Sequence, residues 1–204
     1  MNEDQEIETT KALLGNLTNN VHINAIHVPS VTHQVFLDMD IDDPHKYRNL
    51  ISLLINAPTT DKIHLYINSN GGNLDTSIAI INAMLVCQAE ITGFIMGACH
   101  SAASIISMYC HSVHVFETAY MMIHTASFGN FGNTTTVKAQ TDFTVTQVEK
   151  LLDDAYNGFL SKDEMKEVKQ GIELWFDSEE IRKRLKKRFA TIDSEIKKKL
   201  KNKK

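Results

Sequence analysis

The segment GACHSAASIIS, residues 97–107, sets Cys99, His100, Ser101 and Ser104 close together in a run of small and apolar residues. A serine becomes a nucleophile when a base can take its proton and donors wait for the developing oxyanion. A strand that turns sharply into a helix exposes a hydroxyl and aims free N–H groups and the helix dipole at one point. Residues 95–107, IMGACHSAASIIS, have that profile, with Ser101 at the expected helix start. The segment alone leaves two readings of Ser101 open, a helix N-cap and a nucleophile. It is not a GxSxG elbow, because Cys99 and Ala103 stand where those glycines would be. Cys99 reads as a small core hydrophobe, since a thiolate would be poorly stabilised there. His100 would point away from Ser101 along a strand. Ser104, one helical turn on and facing the same side, is a lesser candidate.

Two further segments carry suitable chemistry. INSNGG (67–72) passes from a strand to a helix through paired glycines, which allow positive φ and let backbone N–H groups face a substrate. MMIHTA (121–126) ends a strand on His124, where a base could sit at the mouth of a site. Each of the two has a plain structural reading when taken alone.

The elements that must position these residues follow from periodicity. HQVFLDM (33–39) reads as a strand. Residues 44–57 have helical spacing, with Tyr47, Leu50, Ile51, Leu54 and Ile55 on one face and Pro44 in the first turn. KIHLYIN (62–68) alternates as a strand, and residues 73–88 form a strongly apolar helix. Residues 90–97, 111–116 and 120–124 are expected strands. Helices are expected over 134–161, 162–171 (ended by Gly171) and 178–189. Strands alternating with helices imply parallel βαβ units and an α/β fold.

Composition excludes several classes. A chain of 204 residues with 43% hydrophobic and 23% charged residues suits one soluble domain. No apolar run approaches the length of a membrane span, and the acidic N-terminus, MNEDQEIETTK, does not resemble a signal peptide. Three cysteines in apolar surroundings argue against a disulfide framework and for a cytoplasmic protein. No CxxC or HExxH pattern occurs, and His111 and His114 would face opposite ways on a strand, so no metal or cofactor is expected. Residues 182–204 carry 12 Lys or Arg against Asp193 and Glu195, leaving 9 basic against 23 acidic residues in the remainder. That tail reads as a solvated terminus. With Phe189 its only aromatic residue it has no stacking platform, and nucleic acid is not an expected partner.

Taken together and in this order, INSNGG, MGACHSAAS and MMIH resemble the caseinolytic (ClpP-type) serine peptidases, whose matching segments read INSPGG, MGQAASMGA and MIH. The resemblance runs roughly from residue 33 to 181. It implies Ser101 as nucleophile and His124, 23 residues later, as base. The family's third member is an Asp within a pattern like DRFLSAEEA. Aligned on the paired glutamates of ELWFDSEEI (173–181), that place holds Glu173, with Asp177 as the competing triad acid. The N–H groups of Gly72 and Ala102 are implied as the oxyanion hole.

The resemblance further implies a ClpP/crotonase-like fold of repeated βαβ units with a protruding helical handle at about 134–161. The expected layout is an arm over 1–30, the peptidase domain over 31–181 and the basic tail over 182–204. Implied partners are a peptide or unfolded-protein substrate, other copies in a homo-oligomeric ring (two stacked heptamers in the family), and a separate ATP-driven AAA+ unfoldase. The chain shows no phosphate-binding loop, so ATP use would belong to that partner. Several positions depart from the pattern: Asn70 replaces a proline, Ala98 a glutamine, Ala102-Ala103 a Met-Gly pair, and Thr125-Ala126 a Gln-Pro pair. Two other readings stand beside the peptidase: a catalytically inactive ring scaffold of the same fold, and a crotonase-like acyl-CoA enzyme.

Overall fold

The computed structural model describes residues 29–201. The arm expected over residues 1–30 lies almost wholly outside the described residues. A six-stranded sheet organises the rest, and every adjacent pair is parallel except the last. The strands are β1 (Thr32–Leu37), β2 (Lys62–Ser69), β3 (Glu90–His100), β4 (Ser112–Val115), β5 (Tyr120–Ile123) and β6 (Leu174–Asp177). The helices are α1 (Arg48–Asn56), α2 (Leu74–Val86), α3 (Ala102–Ser107), α4 (Thr134–Tyr156), α5 (Lys162–Lys169) and α6 (Ser178–Lys201). The order across the sheet is β1-β2-β3-β5-β6, with β4 also against β3. The architecture is mixed α/β, as the alternation of patterns implies.

β3 is the centre of this arrangement because it is long enough to fork. Its first half, Thr92–Ile95, pairs with β4, and its last residues, Ala98–His100, pair with β5. The sequence reading ended this strand at Gly97. It continues because Ala98 N–H donates to Asn68 Oδ1 and Ser69 aligns with Cys99, which holds β2 and β3 together to the end.

Ile63, Leu65 and Ile67 of β2 and Ile91 and Ile95 of β3 are buried on the face covered by α1 and α2. The opposite face carries a row of rings in register, Phe36, Tyr66, Phe94 and His114, with centroids 4.9, 5.0 and 5.1 Å apart. This is the period-two alternation of the sequence made physical.

Side-chain caps set the helix starts. Asn73 accepts from Thr76 N–H at 2.9 Å, Asn133 from Thr136 N–H at 2.9 Å, and Ser161 forms a capping box with Glu164. Residues 44–47, expected as α-helix, form a 3₁₀ turn before α1, consistent with the proline at its start.

Two features near the C-terminus go beyond the sequence reading. No element is expected over residues 172–177, but residues 174–177 form β6, antiparallel to β5. Phe176 points inward from it, and the helix begins at Ser178, where it is expected. The expected helix 178–189 continues to Lys201, and the compositional boundary at 181/182 falls inside it. Leu185 and Arg188 lie beyond that boundary and are buried, so the packed body extends at least to Arg188. Arg188 donates to the backbone carbonyls of Asn157 and Met108.

Arg184 fastens α5 to α6. Its guanidinium forms two bonds to Glu164, at 2.8 and 2.9 Å, one to Glu180 at 2.7 Å, and stacks over Phe176 with 4.5 Å to the ring centroid. The guanidinium holds the Glu164 carboxyl down to about 2. A depressed carboxylate contributes stability that is present above its unfolded pKa and lost as pH falls through the folded value. Arg184→Met is therefore expected to cost about 2–3 kcal/mol at pH 7. That cost shrinks as pH is lowered from about 4.5 toward 2, which denaturant unfolding at several pH values would read.

Candidate active site

Ser101 sits where β3 gives way to α3. Its backbone has φ 51° and ψ −123°, the only positive φ outside glycine among the described residues. An L-residue there is strained, and such strain persists only where surroundings impose it. Here Ser101 N–H donates to the Met122 carbonyl at 2.8 Å, and all six residues of α3 are buried. The chain is thus fixed on both sides of the serine.

That geometry leaves the hydroxyl free of the helix it precedes. Ser101 occupies the N-cap position but makes no side-chain capping bond. Its Oγ lies 2.8 Å from Nε2 of His124, the first residue past β5. Both side chains are part-buried and open onto one cavity of about 620 Å³. Ser104 is not available as a nucleophile. It is fully buried, its Oγ donates to the Ser101 carbonyl at 2.6 Å, and it shares a second 2.6 Å bond with the Tyr156 hydroxyl. Cys99 is fully buried, and burial pushes its thiol up to about 12, as it does for Cys110. His100 is 7% exposed and packs against Tyr120 and Trp175, with no partner for Nε2. Burial, and then the charge of His124, hold its imidazole below the usual histidine range.

The paired glycines take the conformations their turn demands. Gly71 has φ 90° and Gly72 φ 141°. Ile41 N–H donates to the Gly71 carbonyl and Asn73 N–H to the Ile41 carbonyl, each at 2.7 Å. In such a parallel bridge the N–H of the intervening residue, Gly72, faces the other way. Ala102 opens α3, so its N–H has no intrahelical acceptor. Both residues line the same cavity as Ser101 and His124. Two backbone donors, a hydroxyl and an imidazole therefore share one space.

The two acidic candidates sit at opposite ends of β6. Glu173 directly precedes β6 and His124 directly follows β5, each one residue beyond the Ile123↔Leu174 pair. Asp177 pairs with Tyr120, four residues and roughly 13 Å further along. Its Oδ1 accepts from Glu180 N–H at 2.9 Å as a cap on α6. Among the described residues no hydrogen bond joins His124 to either carboxylate, and Glu173 is exposed.

Some of the site was not foreseen from the sequence. Thr144, Val148, Leu151 and Leu152 of α4 form one wall of the cavity, and Asp75 of α2 another part. The apolar spacing of Val148, Leu151 and Leu152 marks a buried helical face but does not say what it packs against. Asp75 carried only the signature of an acidic first turn.

The match to known proteins extends well beyond the three motifs. A family model described as Clp protease matches residues 23–184, and the chain belongs to the Clp protease family of ClpP-like peptidases.

Proposed function

We propose that the chain is a serine endopeptidase subunit in which Ser101, His124 and Glu173 form the triad. The observation that carries the reading is the 2.8 Å contact between Ser101 Oγ and His124 Nε2 at a strained strand-to-helix turn. In this mechanism His124 Nε2 takes the Ser101 proton as Oγ attacks the scissile carbonyl. The N–H groups of Gly72 and Ala102 receive the oxyanion of the tetrahedral intermediate. His124 then returns the proton to the leaving amine. Water enters the emptied position and is activated in the same way to release the acyl group.

Glu173 has the role of holding the imidazole tautomer and stabilising the imidazolium from across the β5–β6 pair. Its longer side chain suits a partner reached from the strand edge. Asp177 is the weaker choice, being committed to α6 at the far end of the strand. Glu173→Gln is expected to lower kcat about 100- to 10,000-fold with little change in KM, while Asp177→Asn leaves the rate within a few-fold. Hydrolysis of fluorogenic peptides by the two variants measures this, and the reverse ranking would transfer the role to Asp177.

The substrate class is peptides and unfolded protein. A ring of identical subunits, in one or two stacked heptamers, would enclose the site, with α4 as the handle between rings. The exposure of most of residues 134–147 supports a helix with an unpaired outer half. Phe131 and Phe143, at 97% and 67% exposure, are apolar surface suited to contacts between copies. A separate AAA+ unfoldase would feed such a chamber. The three free thiols suit the cytoplasm, and among the described residues no helix is long and apolar enough to cross a membrane. Native mass of the purified chain tests the ring. A monomer at micromolar concentration would contradict it.

A further inference from the structure

The cavity beside Ser101 has an apolar floor and one charged edge. Ile105, Val148 and Leu152 line it and are all buried. Asp75, the second residue of α2, lines it too and is exposed. Among the described residues around the cavity only Asp75 and His124 carry acid or base side chains, so Asp75 supplies the one carboxylate among them. Among the described residues no ion pair engages that carboxylate. An acid in a first turn also favours its helix. Asn73 already caps this one, however, and the charge stands on the wall of the space that holds the nucleophile.

We propose that Asp75 makes this enzyme select Lys or Arg as the residue that supplies the scissile carbonyl. The inference rests on the Ser101 peptidase reading. If Gly72 and Ala102 hold that carbonyl, the side chain next to it starts within the same cavity, and Asp75 is only three residues beyond Gly72. Lys and Arg lay their methylene stems along apolar surface and keep the charged head toward water. Here the stem meets Ile105, Val148 and Leu152, and the head meets Asp75 at the solvent edge. A charge-assisted hydrogen bond forms there without burying an unpaired charge. An acidic residue at the same place is disfavoured by like charge.

The test uses peptide substrates identical except for Lys, norleucine or Glu at the residue before the cleaved bond. Norleucine keeps the Lys stem and lacks only the head. On the unaltered protein kcat/KM is expected to rank Lys above norleucine above Glu. In Asp75→Asn the ratio of Lys to norleucine falls about tenfold, and Asp75→Glu restores part of it. A ratio that stays within twofold in Asp75→Asn overturns the proposal, as does equal cleavage of all three peptides by the unaltered protein. Either result leaves the peptidase reading standing. If no peptide is cleaved, it is that reading which fails. Binding of the Lys and norleucine peptides to the Ser101→Ala protein then decides the role of the carboxylate, and equal affinities overturn it.

Discussion

Ser101→Ala is expected to reduce peptide hydrolysis by about 10,000-fold or more in kcat while KM changes little. Loss of a triad nucleophile removes the covalent route altogether, and what remains comes from binding and the oxyanion donors. Stability separates this from a folding defect. Ser101 holds φ 51° in a setting fixed by the Met122 carbonyl and the buried α3. Alanine carries the same backbone strain, so Ser101→Ala keeps its thermal midpoint. Ser101→Gly relaxes the strain and is expected to stabilise the fold by about 1 kcal/mol while being equally inactive. An inactive variant more stable than the parent marks strain kept for chemistry. A Ser101→Gly protein with a lower midpoint would mean that the side chain, rather than the active-site geometry, holds the turn.

The second large effect belongs to Gly72. A Cβ there would lie 2.2 Å from the Ile41 carbonyl oxygen, against backbone that is itself bridged to the turn. No rotamer relieves such a clash, and φ 141° is unfavourable for any L side chain. Gly72→Ala should therefore cost roughly 3 kcal/mol or more, the sum of a strained φ and a forced backbone shift. The same shift carries the Gly72 N–H away from its target. Activity is then expected to fall about 100- to 1000-fold even at temperatures where the variant stays folded. Circular dichroism and peptide hydrolysis on one sample separate the two losses. Full activity in a folded Gly72→Ala protein would remove this N–H from the mechanism.

These two positions show what the sequence made legible. Paired glycines between a strand and a helix, and a serine at a second strand-to-helix turn, are local features, and each landed where periodicity placed it. The strain at Ser101 was not legible, because it comes from Met122, a residue 21 positions away that reaches it through the β3–β5 pairing. β6 was missed for a related reason. Four residues, LWFD, are too short to show a period of two beside a long amphipathic helix, and their strand character comes from pairing with β5. The cavity wall on α4 depends on how a distant helix returns to α3. The spacing of Val148, Leu151 and Leu152 says only that a face is buried. Asp75 was overlooked because an acid in the first turn of a helix already has a sufficient local explanation. The basic tail misled in the opposite direction. Composition suggested a solvated terminus, yet Arg184 and Arg188 turn inward to Glu164 and to two backbone carbonyls.

The central claim is that His124 activates Ser101 as a nucleophile. Reaction of the purified protein with a fluorophosphonate, followed by peptide mass mapping, tests it most directly. The expected result is one covalent adduct per chain on Ser101, formed far more slowly in His124→Ala and absent in Ser101→Ala. An unlabelled Ser101 in a folded, correctly assembled protein would contradict the claim and leave the inactive ring scaffold as the better account.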